Sequence, residues 1–390
     1  MKIPEKLILK KNGVFLIALF TTIDAAQWEF RPVEGGYGSP VNQNDYTVTE
    51  NVLGYYADLK ATLNEKFTAL AGVRFELTDL NYLTPMPESF VGRLGSQSYM
   101  DILPGIHLKY SLTQKQNLRL SYFKSISRPS FFEVIPYQLP GDYFDEIGNP
   151  YLKRATAQNV DLRYELFPKP TDQFLVGVFY KKITNPIEYA FVRGGSSALY
   201  LQPQNFGVAT NYGFEMVLIK YLKNFGVSLN YTYTKSQTTT NKQNYYLDAE
   251  RNIVSDHKDQ TRPLQGQADH IGNLSLLYKN PKIGLDMQLS AVYTGELISQ
   301  VSPYYGLDYW AFPMTTVDLS CEKIINKKEN LTLFVKAKNL LNAKAETRIK
   351  QENTYYSGTF QLPEQNDPHT ILVKKEEYRP SYLIGIRYSL

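Results

Sequence analysis

Phe225-Gly226-Val227-Ser228-Leu229-Asn230-Tyr231-Thr232-Tyr233-Thr234 alternates strictly. Phe225, Val227, Leu229, Tyr231 and Tyr233 fall on one face of an extended chain, and Gly226, Ser228, Asn230, Thr232 and Thr234 on the other. The stretch from Ile283 to Thr294 repeats the pattern. Ile283, Leu285, Met287, Leu289, Ala291 and Tyr293 oppose Gly284, Asp286, Gln288, Ser290, Val292 and Thr294. A period of two marks β-strand, because successive side chains leave the pleat on opposite sides.

Working outward, the alternating segments come in pairs. Leu53–Leu63 pairs with Phe67–Leu77, Gly105–Leu112 with Asn117–Ile126, and Asn159–Phe167 with Phe174–Ile183. Ala209–Tyr221 pairs with Phe225–Thr234, His270–Lys279 with Ile283–Thr294, and Thr315–Ile325 with Leu331–Lys338, while Tyr382–Leu390 stands last. Within each pair the turn is short and rich in breakers, as at Asn64-Glu65, Pro168-Lys169-Pro170 and Asn280-Pro281. Between pairs run long polar loops, around Thr78–Pro104, Ser127–Gln158, Thr184–Val208, Lys235–Asp269, Gly295–Met314 and Asn339–Ser381. Strands of about ten residues joined alternately by short turns and long loops are the pattern of an outer-membrane barrel. The expected fold is all-β: a transmembrane, antiparallel, up-and-down β-barrel, here a partial one of about fourteen strands, with short turns on the periplasmic side.

Residues 1–50 read two ways. Lys2, Lys6, Lys10 and Lys11 before Val14–Phe20, with Ala25-Ala26 after it, resemble a signal peptide, and the same apolar run also suits a first strand. Counting it as a strand makes the total even, as a self-closed single-chain barrel requires. Residues 51–390 form the barrel part.

Composition is compatible with this fold. Aromatic residues make up 14%, with 31 Tyr against 20 Phe and 2 Trp; Tyr, with an apolar body and a polar tip, suits the edge between hydrocarbon and water. A mean hydropathy of −0.34 excludes a bundle of transmembrane helices. Its 42 basic and 38 acidic residues are interspersed, so no basic stripe points to nucleic acid. The single Cys321 excludes an internal disulfide, and His107, His257, His270 and His369 lack zinc-ligand spacing, so no metal or cofactor site is expected.

Opposite the apolar faces lie Asp58, Lys60, Arg74, Glu76, His107, Lys109, Arg119, Asp161, Arg163, Glu165, Asp286, Lys336, Lys338 and Arg387. In a barrel these line a watery lumen while the apolar set meets lipid; in a soluble sandwich they would be the solvated exterior. Periodicity is the same in both. The tyrosines discriminate: Tyr110, Tyr164, Tyr278 and Tyr388 sit near the short turns, and Tyr180, Tyr233 and Tyr293 near the other strand ends, like two interfacial girdles.

A series of motifs carries a family resemblance. In order they are Ala71-Gly72-Val73-Arg74-Phe75-Glu76, Ser125-Ile126-Ser127-Arg128-Pro129-Ser130-Phe131-Phe132-Glu133, Gly148-Asn149-Pro150-Tyr151-Leu152-Lys153 and Asn159-Val160-Asp161-Leu162-Arg163-Tyr164-Glu165. Phe179-Tyr180-Lys181-Lys182-Ile183 with Asn185-Pro186-Ile187-Glu188, Tyr231-Thr232-Tyr233-Thr234-Lys235-Ser236 and Phe334-Val335-Lys336-Ala337-Lys338-Asn339-Leu340-Leu341-Asn342 follow. From about Asn51 onward the chain resembles the barrel of TonB-dependent outer-membrane receptors. The resemblance implies an outer-membrane protein, embedded in lipid by the barrel-assembly machinery, that admits a scarce nutrient such as an iron chelate or a glycan. It also implies outer-loop ligand contacts, for which Arg128, Phe131, Phe132, Tyr137, Tyr143 and Phe144 are the candidates. Such receptors usually have about twenty-two strands and a preceding plug on which the TonB complex acts. This chain carries neither the full strand number nor a plug, and it ends in Leu390 where the family has an aromatic. The sequence reads as a receptor fragment, with a plugless passive channel and a soluble β-rich binding module as alternatives.

Other signals carry less. Asn230-Tyr231-Thr232, Asn273-Leu274-Ser275 and Asn330-Leu331-Thr332 match the glycosylation sequon but fall in strands or tight turns. Cys321 shares the apolar face with Val317 and Leu319, and Asp256-His257-Lys258-Asp259 reads as a solvated charge run. No catalytic spacing is present, so the expectation is a non-enzyme.

Overall fold

The structure, a computed structural model, describes residues 46–84, 92–141, 144–193, 199–326, 331–353 and 364–388. Along the chain come β1 (Thr47–Thr62), β2 (Phe67–Leu83), β3 (Leu94–Thr113) and β4 (Gln116–Ser127), then a single-turn helix α1 (Phe131–Val134). Next are β5 (Gln138–Leu139), β6 (Asp145–Ile147), β7 (Ala155–Lys169), β8 (Asp172–Thr184), β9 (Ile187–Arg193), β10 (Leu199–Asn205), β11 (Val208–Leu222) and β12 (Phe225–Leu247). They are followed by β13 (Ile253–Arg262), β14 (His270–Asn280), β15 (Leu285–Thr294), β16 (Leu297–Gln300) and β17 (Tyr309–Ala311). The series closes with β18 (Met314–Ile324), β19 (Leu331–Lys338), β20 (Lys344–Ile349), β21 (Ile371–Glu377) and β22 (Ser381–Tyr388).

Fourteen strands make one sheet, in the order β1-β2-β3-β4-β7-β8-β11-β12-β14-β15-β18-β19-β22, with β13 paired to the far half of β12. Every neighbour on this path is antiparallel, as expected of an up-and-down wall. Among the described residues, β1 and β22 are the two edges of the sheet and do not pair with each other.

Register aligns the apolar positions into rows. Leu218, Leu229, Leu274, Ala291 and Val317 sit side by side across five strands. Leu108, Leu120, Leu162, Val178, Phe214 and Tyr233 form a second row across six. A slip of one residue would turn either row to the charged face, so the pattern fixes the register. These rows are not a core. Val178 is 53% exposed, Leu276 48% and Ile386 67%, with no second layer packed over them. A sheet whose aliphatic face lies open along its length contradicts a sandwich and fits a wall facing hydrocarbon. The aromatic borders are present too: Tyr110 and Tyr164 both flank Leu118, Tyr278 lies 5.0 Å from Phe225, and Tyr180 neighbours Tyr212 near the long loops.

Two expectations are corrected. The fourteenth strand is β13, which lies inside the stretch read as the loop Lys235–Asp269; Val14–Phe20 is outside the described residues. The strand expected from Ile283 begins at Leu285, because Gly284 turns with φ +59°, a conformation in which a side chain is strained. The wall also extends past the expected ends, with β2 reaching Leu83 and β3 starting at Leu94.

Most of the buried apolar residues lie at the long-loop end. There β5-β6-β10-β9 and β16-β17-β20-β21 form two small sheets. Val134, Ile135, Leu152, Ile298 and Val301 are all at most 2% exposed. Phe191 N donates to Val301 O at 2.9 Å, joining one small sheet to the loop that follows β16.

Candidate functional site

The loop after β4 is built as a scaffold. Arg128 donates to Glu76, which Arg74 also holds, and to Thr78 Oγ1 at 3.2 Å, so the loop is tied down to β2. Ser130 caps α1 reciprocally: its hydroxyl accepts from Glu133 N, and its own N–H donates to the Glu133 carboxylate at 2.6 Å. Val134 and Ile135 then pack on Leu80 and Tyr82. Gly148 is needed for close approach, since a Cβ there would meet the carbonyl oxygen of Ile135. Asn149 next to it donates to Pro203 O at 2.9 Å, and its Oδ1 accepts from Tyr151 N.

The six loop candidates therefore separate. Arg128 is committed to Glu76 and Thr78. Tyr137 is buried and donates to Glu146 at 2.7 Å; burial, and then that carboxylate, push its phenol well above the ordinary tyrosine range. Phe131 and Phe132 stay at the surface, Phe132 edge-on to Tyr137 at 5.3 Å. Tyr143 lies outside the described residues. Phe144 lies 4.5 Å from Phe191, which in turn lies 5.2 Å from Tyr309.

The structure puts the lumen candidates on one face of the sheet and pairs many of them there. Arg119 binds Glu165 at 2.8 Å, Arg163 approaches Glu215 at 3.6 Å, Asp286 approaches Lys279 at 3.5 Å, and Arg387 approaches Glu322 at 3.2 Å. Asp161 stands opposite Ser121 and Lys336 opposite Ser320. Beside β1 to β4 this face forms a wide, open hollow of about 750 Å³ bordered by Asp58, Arg74, Glu76, His107, Lys124 and Arg128. Among the described residues, neither Asp58 nor His107 forms an ion pair.

Two buried ion pairs clasp the long loops together. Arg262, at the end of β13, makes a bidentate contact with Glu188 of β9 at 2.8 and 2.9 Å. Lys242 of β12 donates to Asp308 at 2.5 Å, and Asp308 also accepts from Gln260 and Ser302 N. Both partners of each pair have side chains at most 3% exposed. Burial pushes the Lys242 ammonium below its ordinary range, against the pull of Asp308.

Between the two small sheets lies a cavity of about 440 Å³, within the size range of small-molecule sites. Phe144 and Leu201 line it from one side; Gln300, Tyr309, Thr347 and Val373 line it from the other. Two register breaks fall at its wall. Ser299 is the extra residue where β16 meets β17, and Val373 the extra residue where β20 meets β21. Bulges re-aim side chains and recur beside binding sites. The sequence reading found Phe144 and missed the rest. A signal was present in Tyr304-Tyr305-Gly306-Leu307-Asp308-Tyr309-Trp310, where four aromatics share seven residues.

Comparison with known proteins agrees with this architecture. The family model described as "TonB dependent receptor-like, beta-barrel" matches residues 17–340. Three solved structures share the fold. The ferric-catecholate import receptor Fiu from E. coli K12 has a TM-score of 0.59 at 13% identity, over 88% of this chain and 45% of Fiu. The ferric yersiniabactin uptake receptor FyuA from Yersinia pestis has 0.59 at 15% identity, over 88% and 46%. The siderophore receptor PiuA from Acinetobacter baumannii has 0.59 at 13%, over 89% and 44%. The chain thus spans a little under half the length of these receptors. No curated protein sequence matches it. With a family model matched over most of its length and the wall geometry of its solved relatives, this chain belongs to the TonB-dependent receptor-like β-barrels.

Proposed function

We propose that the chain serves as barrel wall and outer loops of an outer-membrane uptake receptor, binding a scarce nutrient such as an iron chelate or a glycan. The observation that carries this reading is the open aliphatic face, in register from strand to strand and backed by a charged face. Lipid solvates the first, and the second lines the path of the cargo. In this reading the barrel-assembly machinery inserts the wall, and the TonB complex acts through a plug of the kind the family carries. A self-closed passive channel would require β1 to pair with β22, and those strands are the free edges of the described sheet. Unpaired edge groups in lipid each cost several kcal/mol, so these edges call for further strand partners.

Topology tests the reading. An epitope placed at Asp248–Asn252, between β12 and β13, should be reached by antibody on intact cells. Epitopes at Thr113–Gln116, Pro168–Thr171 and Asn280–Lys282 should be reached only after the outer membrane is opened. The reverse pattern would overturn the assignment of sides.

A further inference from the structure

We infer that the cavity between the two loop sheets is a binding subsite for a neutral, polyhydroxylated ligand, a glycan, rather than for an anionic iron chelate. This rests on the uptake reading above and narrows its cargo.

Charge is the first argument. Among the described residues, Lys374 is the one charged side chain lining the cavity, and it is paired with Glu376 at 2.7 Å. A highly charged chelate buried there would need uncompensated cations, because a buried charge without a partner is strongly disfavoured. A bare metal ion would need carboxylate, imidazole or thiolate ligands, and the lining has none of these side chains among the described residues.

Hydrogen bonding is the second. The carboxamide of Gln300 and the hydroxyls of Tyr309 and Thr347 form no hydrogen bond with any described residue, although all three residues are half-buried. Together they offer donors and acceptors in a mixed set, as a ring bearing several hydroxyls requires. Burial raises the phenol of Tyr309 above its ordinary range.

Shape is the third. Phe144 and Tyr309 line the cavity from its two sides, and the buried Phe191 bridges them, with ring centroids 4.5 and 5.2 Å away. The C–H faces of a pyranose are weakly positive and pack on the negative faces of such rings. The bridge is fixed, since Phe191 is 3% exposed and its N–H is bonded to Val301. The bulges at Ser299 and Val373 break the pleat on the two outer strands of one sheet, both at this cavity.

The test uses the 390-residue chain, refolded in detergent, on an array of neutral α- and β-linked hexose and pentose oligosaccharides, with ferric tris-catecholate measured in parallel by calorimetry. Saturable binding of at least one neutral oligosaccharide is expected. Tyr309→Ala and Gln300→Ala should each weaken it about ten-fold, the scale of a lost buried hydrogen bond and stacking surface. Tyr151→Ala, at an exposed loop aromatic that does not line the cavity, should leave it unchanged. Retained β-sheet circular dichroism shows that each variant is folded. Absence of oligosaccharide binding by folded protein overturns the inference, as does chelate binding that Tyr309→Ala abolishes. Failure of the uptake reading looks different: the protein would then be missing from the outer membrane, whatever its cavity binds.

Discussion

Arginine in place of Leu289 should prevent stable assembly in a bilayer, whereas arginine in place of Gln288 should leave assembly intact. The two residues are adjacent in β15 and differ only in face. Leu289 stands between Leu276 and Leu319 in an apolar row and is 40% exposed in the isolated sheet. Gln288 donates to Ser275 and Ser290 on the charged face. A cation facing lipid near the bilayer midplane costs about 2–4 kcal/mol, and a cation facing the lumen costs little. Urea titration of protein folded into vesicles reads the difference directly. Equal tolerance at both positions would mean that neither face meets lipid.

The second large effect belongs to the loop clasp. Asp308→Ala leaves Lys242 buried without its counter-charge and removes the acceptor for Gln260 and Ser302 N. Breaking one side of a buried pair costs about 3–5 kcal/mol, far more than the pair contributes over an apolar replacement. The loss should appear as faster amide exchange in β12 beyond Thr238 and throughout β13, with the exchange of β14 and β15 unchanged. The double variant Lys242→Met with Asp308→Leu should recover most of the protection, since no charge is then stranded. Unchanged exchange in Asp308→Ala would show that the clasp does not hold the hairpin.

The same chemistry explains which parts of this fold could be read from the chain. The thirteen wall strands were legible because lipid on one side and a polar interior on the other force a period of two, as at Leu229 against Ser228. That forcing stops where β12 leaves the wall. Beyond Thr234 one face of the strand carries Thr238, Thr240 and Lys242, all buried, and the other carries Thr239 and Asn241, bonded to Thr261 and Asp259. Both faces of β13 are therefore polar, and Ile253-Val254-Ser255-Asp256-His257-Lys258-Asp259-Gln260-Thr261-Arg262 carries no alternating signal. The charge run at Asp256–Asp259 is a strand for this reason, although its side chains remain mostly exposed, as the sequence suggested. The loop candidates illustrate a second limit. Arg128, within the Ser125–Glu133 motif, and Tyr137, beyond it, make internal bonds to Glu76 and Glu146 that no local sequence pattern shows. The cavity residues Gln300, Thr347 and Val373 come from three separate strands, β16, β20 and a bulge of β21, and no local pattern in the chain joins them.

The central claim, an outer-membrane wall with lipid on one face and a wet interior on the other, is tested most directly by cysteine accessibility along β12. In a Cys321→Ser background, Gly226→Cys, Val227→Cys, Ser228→Cys, Leu229→Cys, Asn230→Cys and Tyr231→Cys are made singly and folded into bilayers. Each is then labelled with a water-soluble maleimide, and a fluorophore at the same site is quenched by lipids carrying a nitroxide on the acyl chain. The wall predicts labelling from water at positions 226, 228 and 230, and lipid quenching at 227, 229 and 231. Uniform labelling of all six, or lipid quenching at the even positions, would contradict it.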